Sequence, residues 1–150
     1  MAPMILEVHA ARTVSPFETL KVGDVMHRGV VSCPPETPMP EVAALMSMHG
    51  IHSVFVFDGR LGRGDAAGYL GIVSDLDLVA AAWAGLETRT AGQSAVTPIL
   101  TVTTDEALER AAELMVENSL SHLSVVDRAS GRPVGVLSTI DIARVVAAPV

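Results

Sequence analysis

The chain has 150 residues, 49% of them hydrophobic and only 3% aromatic, with a formal net charge of −7 and a sequence pI near 5.1. Its length is that of one compact domain with an interior of Val, Leu, Ile, Met and Ala, and a mean hydropathy of +0.43 predicts apolar surface left over for oligomerisation. The acidic balance and the lack of any basic run argue against a nucleic-acid interface or an anionic membrane surface.

The opening stretch "MAPMILEVHAARTV" has no basic start and no sustained apolar core, so no secretory signal is expected. Residues 1–14 carry no assignable pattern and are read as an arm. Ser15, Pro16, Phe17 and Glu18 then form a capping-box start for a short helix. "VVSC" (30–33) is a short apolar strand containing Cys33, the single cysteine, which reads as a small apolar residue in a reducing compartment.

Thr37 and Pro38 predict an N-cap and first-turn proline for a helix running to about His49, with Pro40 tolerated in its first turn. Val42, Leu45, Met46 and His49 share its inner face. "SVFVF" (53–57) and "YLGIV" (69–73) predict a strand hairpin, followed by a helix from about Asp75 to Trp83.

The same order returns. "ILTV" (99–102) is a strand, and Leu108, Ala111, Ala112 and Met115 mark a helical face, with Glu106 and Arg110 as an i,i+4 pair. "HLSVV" (122–126) and "PVGVL" (133–137) are a second hairpin, and a last helix is expected from about Thr139 to Val146. Gly50 aligns with Ser119, Met46 with Met115 and Asp58 with Asp127; the first copy carries five extra residues within "GRLGRGDAAGY". The fold class is therefore α/β, a tandem β-α-β-β-α repeat packed about a pseudo-twofold axis. It divides into an arm and the start of a short helix over 1–19, a first repeat over 20–86 and a second over 87–150. Such packing creates two related clefts.

Each copy closes its hairpin with one octapeptide, "GIVSDLDL" (71–78) and "GVLSTIDI" (135–142). Two readings of its Ser and Asp stay open. Ser74 with Asp77, and Ser138 with Asp141, are capping boxes, each worth about 1 kcal/mol. The same strand-to-helix junction also offers free amides and a dipole end to a phosphate, a hydroxyl to join them, and an Asp for vicinal ribose hydroxyls.

Three other signals point elsewhere. "GRGDAAG" (62–68) imitates a dinucleotide fingerprint but joins strand to strand, which makes it a flexible hairpin loop. His49 and His52 lack further ligands at metal-binding spacing, so no metal is expected. No nucleophile–base pair stands out. The Ala-rich helix "LVAAAWAG" (78–85) suits either burial within the monomer or pairing with a second copy.

The doubled unit, with "DVM" (24–26) at its entry, "MSMHGIHSVFVFD" and "LMVENSLSHLSVVD" at its helix–strand junctions, and the two octapeptides, resembles a cystathionine β-synthase (CBS) domain pair, or Bateman module, over about residues 20–147. The resemblance implies a regulatory module with no catalysis and no required cofactor. It implies clefts that accept AMP, ADP, ATP or S-adenosylmethionine. It carries Ser74, Ser138 and His122 over to phosphate and Asp77 and Asp141 to ribose. The base is placed near Val31, Ser32, Leu100, Thr101, Val54 and Leu123.

In family members that bind ligand, the position before the Asp is often basic; here it is Leu76 or Ile140. The sequence thus shows few cations near either cleft, which disfavours a triphosphate. A cytoplasmic homodimer that senses an adenosine ligand by population shift and acts on an unidentified protein partner is the expected function. A ligand-free interaction module is the alternative.

Overall fold

The computed structural model describes residues 15–61, 68–95 and 99–148. The arm over 1–14 and most of the "GRGDAAG" loop lie outside them.

Helix α1 (Pro16–Thr19) and helix α2 (Val22–Val25) lead into strands β1 (His27–Arg28) and β2 (Ser32–Cys33). The first repeat continues with α3 (Met39–His49), β3 (Ser53–Phe57), β4 (Tyr69–Ser74) and α4 (Asp75–Ala84). After α5 (Ala91–Ser94), the second runs through β5 (Thr101–Thr103), α6 (Leu108–Glu117), β6 (His122–Val126), β7 (Pro133–Ser138) and α7 (Thr139–Ala147). Both copies of the expected β-α-β-β-α unit are present, β2 to α4 and β5 to α7.

Each repeat has its own sheet. β3 sits between β2, which is parallel to it, and β4, which is antiparallel. β6 sits likewise between β5 and β7. One core gathers Met39, Val42, Met46, Val54, Val56 and Val73; the other gathers Leu108, Ala111, Met115, Leu123, Val125 and Leu137.

The entry segments are exchanged between the halves. Strand β1 pairs with β7 of the second repeat, His27 opposite Val136 and Arg28 opposite Gly135. Val22 is fully buried in the second core, with Phe17, Leu20, Val25 and Met26 packed against it. In return, Ala91 of α5 is buried in the first core. This exchange also answers how α3 and α6 start, since neither Pro38 nor Ala107 offers a side-chain cap. The orphan amides of a helix N-terminus need acceptors. Met39 N donates to Arg89 O at 3.0 Å and Leu108 N to Leu20 O at 2.9 Å, each carbonyl coming from an exchanged segment.

Several local expectations are corrected. Pro38 is extended (ψ 144°), so α3 starts at Met39 rather than at Pro38, and Thr37 is not its cap. Ser15 Oγ accepts from Phe17 N at 3.3 Å, one residue short of the expected box with Glu18. Glu106 precedes α6 and so cannot form a helical i,i+4 pair. Its carboxylate accepts from Thr103 N at 3.0 Å, and Arg110 pairs with Glu113 at 2.7 Å instead.

Candidate functional site

The two Ser-Asp pairs stand at the starts of α4 and α7, where β4 and β7 run directly into helix. Asp77 Oδ2 accepts from Ser74 N at 2.8 Å and from Ser74 Oγ at 2.9 Å, while Ser74 Oγ accepts from Asp77 N at 3.2 Å. Asp141 Oδ2 likewise accepts from Ser138 N at 2.9 Å and Ser138 Oγ at 3.0 Å. The capping geometry is therefore present in both copies. In each, the Ser hydroxyl proton already serves a carboxylate, so donating to a phosphate requires it to turn away.

The second carboxylate oxygens differ. Asp141 is 2% exposed, and its Oδ1 lies 2.5 Å from His27 Nδ1. His27 Nε2 is in turn 3.2 Å from Arg144 Nη1, which is 3.6 Å from Asp141 Oδ1. A neutral imidazole satisfies this chain, with Nδ1–H donating to Asp141 and Nε2 accepting from Arg144. Asp77 is more open and lies on a cavity wall.

Two clefts lie between the halves. The smaller, about 50 Å³, has Ser74, Asp77 and Ile72 from the first repeat facing Ile99, Leu100 and His122 from the second. The larger, about 400 Å³, has Val31, Ile51, His52, Ser53 and Phe55 from the first repeat facing His122, Val136, Ser138, Ile140 and Arg144 from the second, with β1 bringing His27 and Arg28. His122 borders both. Its Nδ1 is 2.8 Å from Ser121 Oγ, its Nε2 is buried without a partner, and burial pushes its pKa down.

The structure thus brings together Ser74, Asp77, Leu100 and His122 at one cleft, and Val31, Ser138 and His122 at the other. Ser32 and Thr101 are exposed on β2 and β5, outside both linings. Val54 and Leu123 are fully buried in the two cores. Alternation along a strand gives the reason: Ser53 and Phe55 face the larger cleft, so Val54 between them faces the core. Asp141 is held behind His27.

The expectation of few cations is also corrected at the larger cleft, which carries Arg28 and Arg144. Sequence reasoning missed His27 and Arg28 because they reach this cleft only through the exchanged β1. Arg144 had a readable signal, one turn beyond Asp141 on the same helix. His52 Nδ1 is 3.0 Å from Asp75 Oδ2, and no cluster of three or more metal-ligating side chains occurs among the described residues. Among them, too, no helix is long and apolar enough to cross a membrane.

A family model, the CBS domain, matches residues 22–84 and again 94–148. A curated relative, an uncharacterised protein of Methanopyrus kandleri, is 28% identical over 132 residues, which cover 86% of this chain but only 64% of that protein. Among solved structures, the CBS domain pair of the protein MJ0100, in complex with 5′-methylthioadenosine and S-adenosyl-L-methionine, superposes with a TM-score of 0.71 at 23% identity, covering 85% of this chain and 95% of that one. The protein CBSX2 in complex with AMP gives a TM-score of 0.62 at 26% identity, covering 84% and 95%.

Proposed function

The chain belongs to the CBS domain family, and from that premise we propose that it is a non-catalytic sensor that takes an adenosine ligand into the larger of its two clefts. The observation that carries this reading is the 400 Å³ cavity between the repeats, bounded by the Ser138 junction at the start of α7. Its size lies within the roughly 300–1,000 Å³ usual for small-molecule sites, and the 50 Å³ cleft falls below that range. Apolar Val31, Ile51, Phe55 and Val136 suit a base, and the amides of α7 with Ser138 suit a phosphate. The ligands of the two similar solved structures, 5′-methylthioadenosine with S-adenosylmethionine and AMP, support the same class of guest.

Ribose binding at Asp141 requires His27 to leave Oδ1, so ligand entry shifts the population of β1 positions. The output passes through a homodimer. Leu76, Val79 and Trp83, spaced i, i+3 and i+7, give α4 an exposed apolar face, and Met48 on α3, Val116 on α6 and Ile140 and Val146 on α7 are exposed as well. We assign the protein to the cytoplasm, where a buried Cys33 whose pKa is raised by desolvation stays a thiol.

A second reading, a ligand-free dimerisation module, is favoured by the closure of Asp141 by His27. Titration calorimetry with AMP, adenosine and S-adenosylmethionine separates the two. The sensor reading expects saturable heat at about one ligand per chain. No heat with AMP, adenosine or S-adenosylmethionine up to roughly millimolar, the weakest useful affinity, leaves the dimerisation module standing alone.

A further inference from the structure

In a chain of net charge −7, the larger cleft has a lining of opposite character. It holds two of the ten Lys and Arg residues and four of the five histidines. No carboxylate belongs to that lining. Two acids stand behind it: Asp141, hydrogen-bonded to His27 and ion-paired with Arg144 at 3.6 Å, and Asp75, beside His52. The cationic character therefore rests on the arginines. Arg28 forms no ion pair among the described residues, and Arg144, though paired with Asp141 at 3.6 Å, lines the cleft with its side chain 63% exposed.

These cations do not come from the octapeptide. Its position before the Asp is apolar in both copies, Leu76 and Ile140. They come from the exchanged strand β1 and from the second turn of α7. Both sources border Ser138 and the start of α7, where the helix dipole adds positive potential.

We propose that Arg28 and Arg144 are specificity-determining residues that make the larger cleft select a 5′-phosphorylated adenosine over an uncharged or sulfonium-bearing one. This rests on the adenosine-sensor reading and narrows its ligand class. A guanidinium binds phosphate oxygens through charge-assisted, often bidentate, hydrogen bonds. The same cations gain nothing from the thioether of 5′-methylthioadenosine, and in S-adenosylmethionine they meet a sulfonium and an ammonium against a single carboxylate, a net positive charge. Cation-lined walls with no facing carboxylate raise the local concentration of anions further.

The test is calorimetric titration of the full chain with AMP, adenosine and S-adenosylmethionine. It is repeated with Arg28→Gln and Arg144→Gln, and at two salt concentrations. AMP is expected to bind more than about tenfold tighter than adenosine, the scale of a hydrogen bond to a charged group. That ratio should fall toward one in the double variant, and AMP affinity alone should weaken with salt. Both side chains are exposed, so melting temperatures check that the variants are folded.

Equal affinities for AMP and adenosine, or tighter S-adenosylmethionine, overturn the selectivity and leave the sensor reading in place. A wild-type ratio that survives in the double variant also overturns the assignment to these arginines. Binding of none of the three overturns the sensor reading and the selectivity together.

Discussion

His122 is the residue whose burial ties the stability of the fold to pH. Its ring stands between them with a buried, unpartnered Nε2, and desolvation lowers its pKa more than Asp75, Asp77 and Asp141 raise it. In the unfolded chain it titrates at about 6.5. Below that pH the unfolded state takes up a proton that the folded ring resists, so acid favours unfolding. The full contribution of neutral His122 is present above about pH 6.5 and is lost as pH falls. Denaturant unfolding at pH 7.5 and 5.5 should therefore show a loss of stability on acidification that is smaller in His122→Gln. An equal loss in both proteins sinks this account of His122.

At the scale of elements, the exchanged segments set the site. The register of β1 on β7 places His27 and Arg28 at the larger cleft, and Gly135 permits it: a Cβ there runs into the His27 carbonyl oxygen and Met26 Cε. Gly135→Ala should displace β1 and destabilise the protein by about 1–3 kcal/mol, the usual cost of overpacking. It should also open Asp141 to solvent. Denaturant titration measures the first, and a fold that tolerates the alanine without loss contradicts the tight β1–β7 pairing.

The repeated strand–helix order was legible in the sequence because periods of 2 and 3.6 residues recur in both copies. Gly50, in a left-handed conformation (φ 61°) after α3, aligns with Ser119 (φ 52°) after α6, so even that turn follows the repeat. The partner of a two-residue strand leaves no such trace. Nothing in "HR" at 27–28 names β7 over any other edge, which hid the β1 wall of the larger cleft. Val54 and Leu123 show a second limit. Their strands were legible, but which face of each looked inward depended on the packing of both halves.

For the whole molecule, self-association and sensing have to be established separately. Trp83 is 93% exposed on the same apolar face as Leu76 and Val79, which monomeric proteins seldom leave open. Sedimentation equilibrium should find a dimer, and Trp83→Glu should shift it toward monomer by placing a charge in the contact. A monomeric wild type, or a dimer indifferent to Trp83→Glu, contradicts pairing through this face.

Whether AMP occupies the Ser138 cleft is read from thermal unfolding in its presence. Wild type, Ser74→Ala and Ser138→Ala are compared, each against its own ligand-free melting temperature. A ligand at 100 times its dissociation constant adds about 2.7 kcal/mol, a rise of roughly 5 °C for a chain of this size. That rise is expected in wild type and Ser74→Ala, with a much smaller one in Ser138→Ala. A rise that survives in Ser138→Ala and disappears in Ser74→Ala, or no rise in any of the three, contradicts occupancy of that cleft.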